Sequence, residues 1–193
     1  MIYEISKGKN IMGAFARRTL LTAVLALGLF PAIAIGDEPP IVTVAGDIEH
    51  TNRDPVTADD VGMFTAHDIE FEKGYSLTRQ ALANLDQVTY SVKVPGKDGL
   101  VTLQGPLLTD VLTLAAAKGT AITVMALDGY GIEMPLSYIK THKPILAIKA
   151  DGTSLAIGDM GPAMTVFPST DDPKLAEEFA SRQIWAVFLI DVK

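Results

Sequence analysis

The 193-residue chain has no cysteine. No disulfide can staple it, so a hydrophobic core must carry its stability. The same absence removes thiol nucleophiles, iron–sulfur clusters and thiolate-bound metals. Histidine is scarce too. His50, His67 and His142 stand far apart at no metal-ligand spacing, and they read as exposed or structural side chains. Trp185 is the single tryptophan. The stretch "GKDGLVTLQG" (96–105) matches neither the P-loop nor the dinucleotide-binding spacing, and no serine sits in a nucleophile-elbow motif. No catalytic set and no metal site is expected.

Positive charge is also in short supply, with 16 Lys and Arg against 23 Asp and Glu. Four of those bases, Lys7, Lys9, Arg17 and Arg18, precede the apolar run "TLLTAVLALGLFPAI" (19–33). The small-x-small pattern Ala32-Ile33-Ala34 follows. This is the layout of a secretory signal peptide. The alternative is a membrane anchor, but a span needs about 20 apolar residues and Pro31 ends the run. Met12 is an alternative start. Residues 1–34 are expected to be cleaved, leaving a periplasmic or secreted chain with no membrane attachment. Cleavage removes four bases and one acid (Glu4), taking the net charge from −7 to −10. Such a chain does not bind nucleic acid by phosphate neutralisation, nor does it favour anionic lipid.

What remains reads as a polar linker (35–40) and one domain (41–193). "IVTVAG" (41–46), "HDIEFE" (67–72), "QVTYSVKV" (87–94), "AITVMAL" (121–127), "GIEM" (131–134), "ILAIKA" (145–150), "AMTVF" (163–167) and "IWAVFLIDV" (184–192) have strand patterning. Ser76 is placed as the N-cap of a helix over 76–85, and Pro106 as the first residue of a helix over 106–118 that Gly119 stops. A third helix runs from Asp172-Pro173 to about Arg182, and "PLSYIK" forms a short helical piece. Many short strands with a few short helices define a single α+β domain.

Three local features stand out. Asp128-Gly129-Tyr130 ends an apolar strand and reads either as a hairpin turn or as the rim of a binding site. Gly161-Pro162 precedes a buried strand and reads as a turn or as a close backbone approach. Arg182 and Trp185 flank the last strand, with Trp185 an anchor for the core or a sheet edge, or an exposed stacking face.

In order, "LQGPLLTDVL" (103–112), "ALDGYGIEMPLSYI" (126–139), "PILAIKADGTSL" (144–155), "GPAMTVFP" (161–168) and "RQIWAVFLIDV" (182–192) resemble small secreted proteins built on the molybdopterin-binding domain of sulfite-oxidase-type enzymes. The resemblance covers roughly 85–193, with weaker agreement from Ile41. It implies that fold and a pterin pocket. Catalytic relatives hold molybdenum through a dithiolene and a cysteine near the "VTYSVKV" strand; this chain offers Ser91 there, a poor substitute for a soft thiolate. Short members of the group resemble periplasmic regulators that bind a reduced pterin and contact a membrane-bound cyclic-di-GMP enzyme. The expected function is therefore a pterin-binding sensor without molybdenum redox activity. The alternatives are a molybdopterin-dependent oxidoreductase lacking the usual cysteine, and a ligand-free partner-binding domain.

In that picture Trp185 or Tyr130 supplies a stacking face and Asp128 accepts from the pterin's amino edge. Arg182 donates to its oxo group, while Gly129 and Gly161, with Pro162, let backbone come close. Relatives commonly read Asn-Asp-Tyr where this chain has Asp128-Gly129-Tyr130. They also commonly carry bases before the Gly-Pro, where this chain has Ile157–Met160, which favours a phosphate-free pterin.

Overall fold

The structure, a computed structural model, describes residues 38–193. The expected leader, residues 1–34, lies outside the described residues. The described residues begin with β1 (Pro40–Gly46), α1 (Met63–Ala66), β2 (Gly74–Thr78), α2 (Arg79–Ala83), β3 (Gln87–Lys93) and β4 (Leu100–Pro106). They continue through α3 (Leu108–Leu114), β5 (Ala121–Ala126), β6 (Gly131–Pro135), α4 (Leu136–His142) and β7 (Ile145–Ala147). β8 (Lys149–Ala150), β9 (Thr153–Ser154), β10 (Met164–Val166), α5 (Pro173–Ser181) and β11 (Val187–Val192) complete the series. The architecture is mixed α+β, as the pattern of short strands predicts.

Five strands form the main sheet in the order β2-β1-β11-β5-β6. Strands β1 and β11 pair in parallel at its centre, Val44 opposite Ile190, and the other neighbours are antiparallel. A second sheet, β3-β4-β8-β9, is antiparallel, and β7 pairs with β10. One apolar cluster joins the main sheet to the helices through Val44, Leu82, Val111, Ile122, Ile139 and Phe167. A second, around Leu103, Ile145 and Met164, lies under β3 and β4.

Several boundaries differ from the sequence expectation, each for a tertiary reason. Ser76 is not a helix cap: it sits in β2 opposite Thr43, and Thr78 accepts from the Ala81 N–H instead, at 3.1 Å. Glu38, in the expected linker, adds a second cap by accepting from the Gln80 N–H at 3.0 Å. Pro106 closes β4 opposite Gln87, so the next helix starts at Leu108. That helix ends at Leu114, ahead of Ala116 at φ +50°, rather than at Gly119. Residues 67–72 form no strand; Phe71 alone bridges, to Val56, while Ile69 folds back onto Phe64. The run 145–150 splits because the chain changes partner, from β10 to β4 and β9, at Ile148.

Candidate functional site

The β5–β6 connection is a turn closed by two backbone bonds and the Asp128 side chain. The Gly129 N–H donates to the Ala126 carbonyl at 2.9 Å, and the Ala126 N–H donates to the Tyr130 carbonyl at 2.8 Å. Asp128 Oδ1 accepts from the Tyr130 N–H at 2.9 Å, the local bond for which aspartate is favoured in turns. Gly129 takes φ +86°, a conformation that L side chains rarely adopt. The turn leaves Asp128 exposed and Tyr130 57% exposed.

Trp185 reaches the same place from the neighbouring strand, since Val187 pairs with Ala126. Ile184 is buried and bridges Thr165, while Ala186 takes φ +51° and donates its N–H to the Met160 carbonyl. The Leu127 N–H donates to the Ala186 carbonyl at 3.0 Å. That bond ties the 127–130 turn to the entry of β11, and Trp185 remains 36% exposed beside it. Asp128, Tyr130 and Trp185 then line one cleft of about 300 Å³, with Pro95, Ile184, Ala180 and Gln183.

A neighbouring cleft of about 340 Å³ contains Ser91, Leu100 and Phe167. The two share Ala180 and Gln183, so they meet at the C-terminal end of α5. Residues 37 positions apart in sequence, Ser91 and Asp128, thus open onto adjoining parts of one groove.

The remaining sequence candidates are placed elsewhere. Arg182 does not line either cleft. Its guanidinium pairs with Glu178 at 3.2 Å and lies over the Tyr138 ring, 4.6 Å from the centroid. Gly161 and Pro162 are buried. A Cβ at Gly161 would meet the Leu155 carbonyl carbon at 2.6 Å and the Ala156 nitrogen at 2.7 Å, so the close approach there is to the chain's own backbone. Pro162 lines a separate apolar cleft of about 260 Å³. Gly129 faces His67, whose Nδ1 would lie 2.8 Å from an added Cβ and whose Nε2 is 2.9 Å from the Leu127 carbonyl.

Two groove residues had no sequence signal of their own. Gln183 stands beside the more conspicuous Arg182, and Pro95 belongs to the "PGKDG" turn. His67 was read as an exposed or structural histidine at the start of an expected strand, with no signal that it meets the 127–130 turn. The other histidines are engaged in packing and local bonds: His50 Nδ1 is 2.8 Å from the Leu114 carbonyl, and His142 packs against Tyr138 and Phe179.

A scan against protein-family models finds no match to the chain, and a search of curated proteins finds none either.

Chemically, the groove offers two partly exposed aromatic rings, a carboxylate, a primary amide and an apolar floor. Asp128 Oδ1 is engaged by the turn; Oδ2 accepts from no protein donor among the described residues. Such a set suits a flat heterocycle with a donor edge better than an extended or highly charged ligand.

Proposed function

We propose that the groove beside Trp185 binds a pterin and that the chain is a pterin-binding sensor of the periplasm, built on a sulfite-oxidase-type molybdopterin-binding fold. The observation that carries this is the convergence of Asp128, Tyr130 and Trp185 on one cleft of about 300 Å³. That volume lies at the small end of the range for ligand pockets, which matches a two-ring heterocycle rather than a full dinucleotide. The rings of Trp185 and Tyr130 provide stacking area, and Asp128 Oδ2 accepts from the ligand's amino edge. In this reading Gln183, which lines the cleft, meets the oxo group in place of Arg182, which pairs with Glu178 and lies over Tyr138.

The donor set does not suit molybdenum. Where the resemblance implies a cysteine, the groove has the hydroxyl of Ser91, and no thiolate exists anywhere in the chain. The reading is therefore one of binding and signalling, with output to a membrane-bound cyclic-di-GMP enzyme. Calorimetric titration with tetrahydropterin tests it: a single site is expected. Asp128→Asn and Tyr130→Ala should each weaken affinity by about ten-fold, the scale of one charged hydrogen bond or one aromatic contact. Unchanged affinity in both variants would remove these residues from the site.

A further inference from the structure

A cavity of about 580 Å³, apart from the Trp185 groove, lies between the start of the main sheet and the 52–65 segment and contains Arg53, Phe64, Asn52, Ser76 and Thr78. An adjoining apolar cleft of about 260 Å³ shares Pro40, Arg53 and Phe64 with it and continues to Leu127, Pro162 and Phe188. Arg53 thus stands where a polar chamber opens into an apolar one.

The arginine is held in place. Asn52 exchanges side-chain bonds with the Ser76 backbone, accepting at 2.6 Å and donating to its carbonyl at 2.9 Å. Arg53 bridges Gly74, where an added Cβ would lie 2.7 Å from Arg53 Cγ and 2.8 Å from its Cδ. Glycine makes the room for its stem. The guanidinium carbon lies 4.8 Å from the Phe64 ring centroid and 5.4 Å from that of Phe71.

Held there, the guanidinium is underused. Nη1 donates to Thr43 Oγ1 at 3.2 Å, Nε is buried without a partner, and no carboxylate lies within ion-pair distance among the described residues. A guanidinium has five N–H donors, and few of those of Arg53 meet a protein acceptor among the described residues. Two acids also line the larger chamber, Asp54 and Asp60. Asp60 is occupied by the Thr57 N–H and hydroxyl, at 2.7 and 3.0 Å. Their charge, two negatives against the one positive of Arg53, disfavours a phosphate dianion in that chamber, whereas the smaller cleft is lined by Arg53 and by no acid.

We infer that Arg53 anchors a second ligand site, separate from the Trp185 groove, that takes a small monocarboxylate with a hydrocarbon tail. The carboxylate sits on the guanidinium, whose fork matches it, and the tail enters the cleft towards Pro162 and Phe188. Octanoate is the probe, with octanamide as its uncharged counterpart. Calorimetry at neutral pH should show one saturable octanoate site, with octanamide bound at least about ten-fold more weakly. Arg53→Lys, which keeps the charge but loses the fork, should weaken octanoate about ten-fold, and Arg53→Met should abolish it. If Arg53→Met fails to fold, the lysine variant and the acid–amide comparison still decide. Octanoate-induced NMR shifts should centre on Thr43 and Phe64 and not on Trp185. Absence of saturable binding, equal binding of acid and amide, or unweakened binding by Arg53→Lys would each overturn the inference.

Discussion

Gly129 is the residue on which the candidate groove depends most directly. Its φ of +86° sets the turn that presents Asp128 and Tyr130, and its missing Cβ admits the His67 ring. Gly129→Ala should therefore cost about 1–2 kcal/mol from backbone conformation alone, or roughly 2–8 °C in Tm. It should cost more through displacement of His67 from the Leu127 carbonyl. Adding His67→Ala should recover that second part but not the first, and thermal melts of the two single variants and the double variant would separate them. Equal losses in both glycine variants would show that His67 plays no part. The turn itself was legible: Asp-Gly between two apolar strands is a hairpin signal. Its partner His67 was not, because the contact joins positions 60 residues apart through a carbonyl.

At the scale of elements, alternation was read correctly where one face of a strand meets the core. β5 alternates partly exposed and buried along Ala121–Ala126, and Val88, Tyr90 and Val92 pack towards the second core. Reading failed where backbone pairing overrode a local signal. Ser76 and Thr78 are both plausible caps, and the helix starts after Thr78 because the pairing of β2 with β1 continues to that residue. Gly105 shows the same dependence. In sequence it is one glycine of a turn-like "QGP"; in the fold it lets β4 pass against the Leu146 backbone, where an added Cβ would also lie 2.7 Å from the Ala147 Cα. Backbone cannot yield as a side chain can. Gly105→Ala should destabilise by about 3 kcal/mol or more, measured as a lowered urea midpoint. Near-native stability would mean that β4 and β7 are less closely apposed than described.

Over the described residues, a chain without disulfides relies on its apolar clusters and on the central parallel pair of β1 with β11. Asp191 lies in that central strand, and burial raises its carboxyl above the ordinary value of 3.8, with Lys193 opposing in part. A raised carboxyl destabilises the folded state once ionised, and the penalty fades as pH falls through the raised value towards 3.8. Asp191→Asn should accordingly raise Tm at pH 7, with the gain shrinking to nothing below about pH 3.8. A gain independent of pH would assign the effect to something other than ionisation.

The Trp185 groove likewise exists only at this scale, since β3, the 127–130 turn, α5 and the entry to β11 each contribute. Local features brought Asp128, Tyr130 and Trp185 forward, and the sequence resemblance gave them a ligand and added Ser91. It could not show that Arg182 turns away to Glu178, because that choice is made by the α5 geometry. The sensor reading stands or falls on whether a pterin enters beside the single tryptophan. Titrating the protein with tetrahydropterin while following Trp185 fluorescence should give saturable quenching with one site, weakened in Asp128→Asn. Fluorescence that does not respond to tetrahydropterin, or quenching that rises linearly without saturation, would contradict it.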